Sequence, residues 1–374
     1  MAKLALLYLR LKAGIPVVMV GETGVGKTVL VNILSFLIGG RVNTLSMHAG
    51  TKESEIRKWV RRSIASFLLS RLIKEYLLKR GEEKETTGIE EVREAPLILF
   101  FDEINTNSNV SGILTEIIME HSLDGELLPR YVHPVAAANP YKLRKKEGGL
   151  TQGLKLTELK SSKLVYLVEP LPPSMFTQVW NFGELNLHDE FVYIRKHVEK
   201  ECVQYEALRP LLLDISDCLS FATHFVKTES DTSSVSLRTL TRFSRVLHFF
   251  TKKEAISPSR AVVLAIYFAY LSSLQLQSTR EHFMKLSSEI FKRFGQDFNQ
   301  VVLEELDALT SGMHLEPGVA LNLPLKQNIF HLYVALLNEI PIILTGPPGS
   351  SKTLSVRILY RNLRGPKSPS ERLR

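Results

Sequence analysis

Short apolar runs alternate with amphipathic stretches in the N-terminal part of the chain. The runs cover residues 16–20, 97–101 and 134–138. Between them, apolar positions recur every three or four residues over 29–38 and over 52–80, which is the spacing of amphipathic helices. Short apolar runs separated by helical stretches predict an α/β layer with a parallel sheet.

The pattern changes after the proline-rich stretch at residues 169–173. The segments that follow have helical periodicity and no convincing strand, so we predict a mostly helical second domain. These segments are 188–200, 203–226, 235–252, 258–276 and 280–310. Residues 339–344 then echo residues 13–18, so the end of the chain repeats the pattern of its beginning.

The sequence GETGVGKT, from Gly21 to Thr28, directly follows the first apolar run and precedes a helical stretch. It matches G-x-x-x-x-G-K-[ST], in which glycines let the backbone wrap a phosphate and the helix N-terminus adds a favourable dipole. Lys27 would reach the β- and γ-phosphates of a nucleotide, and the Thr28 hydroxyl would bind Mg²⁺. The alternative for this P-loop motif is a glycine-rich turn with an exposed lysine.

Acidic residues and an asparagine end the second and third apolar runs. Asp102 would hold Mg²⁺, and Glu103 would orient and deprotonate the attacking water. Asn139 would hydrogen-bond the γ-phosphate or that water. The alternatives are a helix N-cap for the acidic pair and turn initiation before Pro140 for Asn139. Because a P-loop lies upstream of all three, we favour ATP hydrolysis.

A second motif of this kind, GPPGSSKT, lies at residues 346–353 and precedes another helical stretch. Ser351 replaces the glycine before the lysine, and a Cβ where the backbone must approach closely could weaken phosphate binding. The repeat is cut off after this helix. We therefore expect half a site, with Lys352 and Thr353 but without its own acidic pair.

Arg238, Arg242 and Arg245 form a basic stripe beside an apolar stripe in residues 236–250. An arginine of the helical domain that touches the γ-phosphate would couple the nucleotide state to the angle between the domains. We predict this role for Arg238 and interpret the other two as a solvated face.

Composition indicates a globular protein, and the location of the charge bears on its partners. Apolar residues make up 44% and charged residues 23% of the 374, as in globular proteins. The net charge of +8 suggests an acidic partner, but seven basic residues and one acid lie within 351–374. The excess is local, so we expect no nucleic-acid partner.

Two cysteines, Cys202 and Cys218, are too few for a disulfide scaffold or a zinc finger, and each is expected to be a buried or surface thiol. The longest apolar run, residues 261–271, is about half of the roughly 20 residues that a membrane span needs. No targeting segment is evident.

The motifs together resemble the AAA+ superfamily: a P-loop, DEIN at 102–105, AANPY at 137–141 and an arginine on a helix of the second domain. The phrases FFDEIN, AAANPY, LVYLVEPLPPSMFTQVWNFGEL and SVSLRTLTR are most similar to the mysterin-like family of giant AAA+ RING-finger ubiquitin ligases. Such proteins string six AAA+ modules along one chain, of which the third and fourth keep nucleotide chemistry. The resemblance covers nearly the whole chain and implies a complete third module followed by the start of the fourth.

The resemblance implies ATP and Mg²⁺ as cofactors and gives a role to each matching position. Glu103, Asn139 as sensor 1 and Arg238 as sensor 2 would be catalytic, and Thr28 and Asp102 would bind the metal. The nucleotide-binding residues would be Gly21, Glu22, Thr23, Gly24, Val25, Gly26, Lys27 and Thr28, with Gly346, Gly349, Lys352 and Thr353 in the second motif.

We predict four segments from these features. They are an α/β nucleotide-binding domain (1–168), a helical lid domain (174–275), a helical linker (276–320) and the start of a second AAA+ module with strand, P-loop and helix (321–374).

The predicted function is an ATP-hydrolysing AAA+ module of a mysterin-like ubiquitin ligase, in which the nucleotide cycle drives conformational change. Neighbouring modules of the parent chain would supply an arginine finger, and the ubiquitin machinery would act through that parent, because the ligase zinc finger is not in this chain. Because no membrane or targeting segment is evident, we expect a cytoplasmic location, and the family resemblance implies lipid-droplet association. Two alternatives stay open: a scaffold that holds ATP without hydrolysing it, and a MoxR-, midasin- or dynein-type AAA+ protein.

Overall fold

The fold comes from a computed structural model that describes residues 2–79, 95–143, 164–183, 185–229, 235–274, 277–293, 295–346, 348–368 and 373. The chain divides into two compact units. The first comprises Met1–Arg144 and Lys163–Glu184, and the second comprises Lys145–Ser162 and Leu185–Arg374.

A five-stranded parallel sheet forms the middle of the first unit. Its strands are β1 (Val17–Gly21), β2 (Arg41–Ser46), β3 (Leu97–Asp102), β6 (Val132–Ala138) and β7 (Val179–Gly183), and a separate hairpin is made of β4 (Ser122–Leu123) and β5 (Glu126–Leu127). The order across the sheet is β2–β3–β6–β1–β7, and every pairing in it is parallel. The predicted α/β fold with a parallel sheet is confirmed.

Helices cover both faces of this sheet. They are α1 (Ala2–Lys12), α2 (Lys27–Leu37), α3 (Glu53–Lys79), α4 (Ser111–Thr115) and α5 (Pro173–Phe176), with 3₁₀ turns at Ile104–Thr106 and Ser108–Val110 and a π-helical turn at Glu116–Glu120. Val17 and Met19 of β1 pack in one core cluster with α1 and α2, whereas Val18 packs in the other with α3. Alternate residues of one strand thus point to opposite faces, which gives a three-layer arrangement.

Residues 179–183 form a strand that the sequence pattern did not predict. β7 pairs with β1, so these residues group with the first unit, whereas the predicted lid domain began at 174. β2, at the opposite edge of the sheet, was also not predicted. Both are edge strands with polar or partly exposed positions, so no apolar run marks them.

All the regular secondary structure in the described residues of the second unit is helical. Its helices are α6 (Leu187–Cys202), α7 (Leu212–Glu229), α8 (Leu237–His248), α9 (Pro258–Ala269), α10 (Gln277–Lys292), α11 (Phe298–Ser311), α12 (Leu323–Leu337) and α13 (Lys352–Asn362), with 3₁₀ turns at Glu206–Leu211, Leu271–Ser273 and Gly365–Lys367 and a π-helical turn at Phe249–Lys253. One core cluster runs from Ile194 to Leu373. The predicted helical region after the first domain is confirmed.

Cys202 and Cys218 are both buried free thiols in that core. Burial raises the pKa of the Cys202 thiol to about 12, and it also raises the pKa of Cys218. Neither thiol is therefore ionised near neutral pH.

The strand expected before the second P-loop motif is not formed. Residues 341–346 have no regular secondary structure, and Ile343 is 84% exposed. A strand needs a neighbour to receive its backbone hydrogen bonds, and the described residues of the second unit contain no other strand.

None of the helices in the described part of the chain is long and apolar enough to cross a membrane.

Candidate functional site

Three of the predicted site segments meet at one edge of the sheet. Gly21 ends β1, Asp102 ends β3, and Asn139 follows β6. Because β6 lies between β3 and β1 and all three strands are parallel, their carboxyl ends emerge side by side. The fold therefore brings the P-loop, the acidic pair and Asn139 together at this edge.

The backbone of the P-loop depends on glycine. Gly24 and Gly26 have φ angles of 83° and 90°, in the left-handed region that side chains disfavour. Gly21 is required for a different reason, because a Cβ there would lie 2.9 Å from the Cβ of Phe182 on β7. The loop ends at Lys27, where α2 begins, so the positive end of the helix dipole faces the loop.

The ammonium group of Lys27 is held at the loop. Its Nζ donates to the Gly21 carbonyl oxygen at 2.5 Å and to the Glu22 carbonyl oxygen at 3.1 Å, and the residue is buried. A positive charge is thus fixed beside the backbone that would wrap a phosphate.

A hydrogen bond joins the two predicted metal ligands. Thr28 Oγ1 donates to Asp102 Oδ2 at 3.3 Å, and Asp102 Oδ1 accepts from the Glu103 N–H at 3.0 Å. One hydroxyl and one carboxylate in contact form the set of hard oxygen donors that Mg²⁺ takes beside nucleotide phosphates. In the described ranges no group of three or more His, Cys, Asp or Glu side chains could hold a metal by itself. The residues present therefore fit a magnesium ion that is shared with a nucleotide.

Glu103 has a strained backbone. Its φ and ψ are 59° and 41°, and a side chain in this left-handed region costs about 1–3 kcal/mol. This backbone conformation turns the chain sharply away from β3 at Glu103, the residue predicted to act as the base. Among the described residues, none forms a hydrogen bond with the Glu103 carboxylate, and its side chain is partly exposed.

Asn139 is fixed by its backbone and not by its side chain. Asn105 Nδ2 donates to the Asn139 carbonyl oxygen at 2.8 Å, and the Asn139 N–H donates to Asn105 Oδ1 at 3.2 Å. Both residues are buried. Within the described ranges the Asn139 side-chain amide has no hydrogen bond of its own, so it remains available for a ligand. Asn105 belongs to the DEIN motif, but the sequence predicted no role for it.

Lys142 and Tyr166 hold the Glu22 side chain of the P-loop. Lys142 Nζ lies 3.0 Å from Glu22 Oε1, and the Tyr166 hydroxyl donates to Glu22 Oε2. Burial and this bond raise the pKa of Tyr166 to about 12. Next to these residues, Leu143 and Leu164 form an antiparallel bridge that brings the two segments together. Neither Lys142 nor Tyr166 was predicted, because no motif marks them.

The second P-loop motif repeats details of the first. Lys352 Nζ donates to the Gly346 carbonyl oxygen at 2.7 Å, six residues upstream, as Lys27 does to Gly21. Gly349 has a φ of 80°. Ser351 adopts a left-handed φ of 59° directly before α13, where Gly26 stands in the first loop. Thr353 is exposed.

Arg238 lies near the start of α8 in the second unit and is exposed. The Ser236 side chain accepts from the Arg238 N–H at 3.3 Å and caps the helix. Arg242 and Arg245 are exposed as well, and Arg245 donates to the Asn338 carbonyl oxygen. The catalytic and metal-binding residues predicted with Arg238 all belong to the first unit, so Arg238 is not among those that the sheet brings together.

Comparisons with known proteins match both ends of the chain. Two family models, each described as RNF213 AAA domain, match residues 1–142 and residues 318–374. The full chain is 29% identical to E3 ubiquitin-protein ligase RNF213 of Homo sapiens and 30% identical to that of Mus musculus. Over 96% of its length it is 29% identical to E3 ubiquitin-protein ligase rnf213-beta of Danio rerio. The chain spans 7–8% of the length of these relatives.

Proposed function

We propose that this chain, which belongs to the RNF213 AAA domain family over residues 1–142 and 318–374, binds Mg-ATP in its first AAA domain and hydrolyses it. The family membership confirms the resemblance to the mysterin-like ligases. ATP binding, magnesium binding and hydrolysis are the proposal.

The hydrogen bond between Thr28 and Asp102 is the observation that carries the proposal. It places a P-loop hydroxyl against the carboxylate at the end of β3, at 3.3 Å. A glycine-rich turn or a helix N-cap would not require this contact between residues 74 positions apart. The contact is expected where both oxygens bind one metal ion beside a nucleotide.

The other residues of the first unit have distinct roles in this proposal. Lys27 and the N-terminus of α2 bind the phosphates, and Mg²⁺, when bound, neutralises their charge. Glu103 orients a water molecule and accepts its proton as that water attacks the γ-phosphate. Asn139, with its free side-chain amide, hydrogen-bonds the γ-phosphate or the water.

Turnover by the chain by itself is expected to be slow. In our proposal an arginine finger comes from a neighbouring AAA+ module, and such a finger is worth about 10³–10⁵ in rate. Arg238 is proposed to sense the γ-phosphate from the helical unit, and the loop with Lys352 and Thr353 is proposed to begin a second nucleotide site.

Three relatives of this chain, those of Homo sapiens, Mus musculus and Danio rerio, are named E3 ubiquitin-protein ligases. We propose that the nucleotide cycle of this domain changes the conformation of such a ligase. Two cysteines cannot build a RING finger, so ubiquitin transfer would use residues outside this chain. A cytoplasmic location stays a prediction from the sequence, and association with lipid droplets stays a prediction from the family resemblance.

The test compares ATP binding and turnover in the full chain and three variants. Glu103→Gln should bind ATP within about threefold of the parent and lose at least about 100-fold in turnover, because it removes the general base. Lys27→Ala should weaken binding itself. Glu126→Gln, the same chemical change at an exposed residue of β5, is the matched control and should change neither. Unchanged turnover in Glu103→Gln would overturn the assignment, and retention of unhydrolysed ATP over hours by the parent chain would favour the scaffold.

A further inference from the structure

We propose that Asn105 is a positioning residue for hydrolysis, which sets the backbone of Asn139 and thereby aims its side-chain amide at the reacting phosphate. The inference rests on the proposed function and adds to it a residue that neither the P-loop nor the acidic pair supplies. Its role is indirect, because both polar groups of the Asn105 side chain bond to the backbone of Asn139.

The contact between the two asparagines is a closed pair of hydrogen bonds. Asn105 Nδ2 donates to the Asn139 carbonyl oxygen at 2.8 Å and Asn105 Oδ1 accepts from the Asn139 N–H at 3.2 Å. Asn105 is 6% exposed and Asn139 is 9% exposed, so water competes little for either bond. One side chain thus satisfies both polar groups of the Asn139 backbone, as a neighbouring strand would.

This pair begins where the sheet ends. Ala138 is the last residue of β6, and the last partners in the β6–β3 register are Ala136 and Phe101. The backbone of Asn139 lies beyond that register. Its N–H and carbonyl groups therefore bond to the Asn105 side chain and not to a neighbouring strand. A primary amide suits the task because it carries a donor and an acceptor on one carbon.

The position of Asn105 connects the proposed base to the proposed sensor. It lies two residues after Glu103, within the turn Ile104–Thr106 that leads away from β3. Its own carbonyl oxygen accepts from the Glu169 N–H at 2.8 Å, which anchors it from a third segment. A change at Asn105 therefore alters where Asn139 stands relative to Glu103, and a misplacement of about 1 Å can cost about 100-fold in rate.

Asn107 offers a matched control two residues further on. It is also buried, and its Nδ2 donates to the carbonyl oxygens of Ala49 and Thr51 at 3.1 and 2.9 Å. These bonds hold the segment between β2 and α3 and do not involve Asn139. Substituting Asn107 removes the same kind of side chain and a similar number of bonds, so it measures the general cost to the fold.

The experiment uses the full chain with Asn105→Leu, Asn105→Asp and Asn107→Leu. It measures ATP turnover, KM for ATP, the thermal midpoint, and the hydrogen exchange rate of the Asn139 amide without nucleotide. Asn105→Leu should speed exchange of that amide at least about tenfold and lower kcat about 10–100-fold, with KM within about threefold. Asn105→Asp keeps the acceptor and loses the donor, so it should keep exchange slow and lower kcat. Asn107→Leu should match the loss in thermal midpoint without the changes in exchange or kcat.

The outcomes separate this inference from the proposed function. If Glu103→Gln abolishes turnover while Asn105→Leu has the kcat of Asn107→Leu, the positioning role is wrong and the proposed function stands. If the Asn139 amide exchanges equally fast in the parent chain and in Asn105→Leu, the pair does not exist in solution and the inference fails. If the parent chain has no turnover that Glu103→Gln removes, the proposed function fails and the positioning role falls with it.

Discussion

Glu22 brings a negative charge into a loop that is proposed to bind phosphates. The side chain is 13% exposed, and the ammonium group of Lys142 lies 3.0 Å from it. The Tyr166 hydroxyl bonds to its second oxygen, and Tyr166 follows Glu22 by 144 residues. Such contacts between distant residues have no local pattern, so the sequence predicted the P-loop lysine and threonine but not the groups that neutralise and fix Glu22.

Lys142→Met is expected to weaken nucleotide binding by about fivefold, because Glu22 then repels the phosphates without compensation; ion pairs of this exposure are worth about 1 kcal/mol. Binding of a fluorescent ATP analogue at low salt would measure the effect. Adding Glu22→Gln in the same chain should restore affinity, since it removes the charge that Lys142 balanced. If the double variant binds as weakly as Lys142→Met, the charge balance is not the cause.

His331 is a buried base in the core of the helical unit. Its Nδ1 bonds to the Gln327 carbonyl oxygen at 2.8 Å, and its Nε2 is buried without a hydrogen-bond partner in the described structure. Burial lowers the pKa of His331 to about 4, and nearby Arg280 also lowers it. In the folded state His331 is therefore protonated only near pH 4, whereas in the unfolded chain it is protonated near pH 6.5.

The free energy of unfolding is expected to fall by about 3 kcal/mol as the pH falls from 6.5 towards 4, because the unfolded chain protonates His331 in this range and the folded state does not. Urea unfolding at several pH values would measure it. In His331→Phe the loss over this range should be smaller by that amount, whereas His188→Phe, at an exposed histidine, should keep the dependence of the parent chain. Equal slopes for the parent chain and His331→Phe would contradict the expectation.

Among the strands, position in the sheet decided which ones the sequence could predict. β1, β3 and β6 lie at the centre, where both faces are buried, so each reads as a continuous apolar run. β2 and β7 lie at the edges, and their partly exposed positions leave no such run. The apolar run before the second P-loop motif had the right composition and still forms no strand, because composition does not supply a neighbour.

One long amphipathic helix was predicted over residues 52–80, and α3 (Glu53–Lys79) agrees with these limits. The apolar face is buried in the first half, where Ile56 and Val60 are fully covered, but Leu68 and Leu72 in the second half are 38% and 62% exposed. Periodicity indicates which residues share a face, and it does not indicate how far along the helix a neighbour covers that face.

Two substitutions in α3 would test this difference. Ile56→Ala should cost about 2–5 kcal/mol of unfolding free energy, because it leaves a cavity between the helix and the sheet. Leu72→Ala should cost less than about 0.5 kcal/mol, because most of that side chain is already in solvent. Urea titrations of both variants give the two values. Equal losses would mean that the second half of the helix is covered in solution.

At the scale of the whole molecule, the internal repeat was predictable as a loop and not as a domain. Both P-loops place a lysine on the carbonyl oxygen six residues upstream, and both turn into their helix through a left-handed residue. These features are local and follow from the eight residues of each motif. The sheet around the first loop is not local, since its strands come from positions between 17 and 183.

The strand order also sets the sequence of events during synthesis. β1, which carries the P-loop, pairs with β6 on one side and with β7 on the other. β7 ends at Gly183, so at ribosomal rates of roughly 5–20 residues per second β1 waits on the order of ten seconds for its second partner. A chain shortened to residue 168 would leave β1 with an open edge, which invites aggregation. β1 is therefore translated early in the first unit, but it is among the last of its strands to have a partner on both sides.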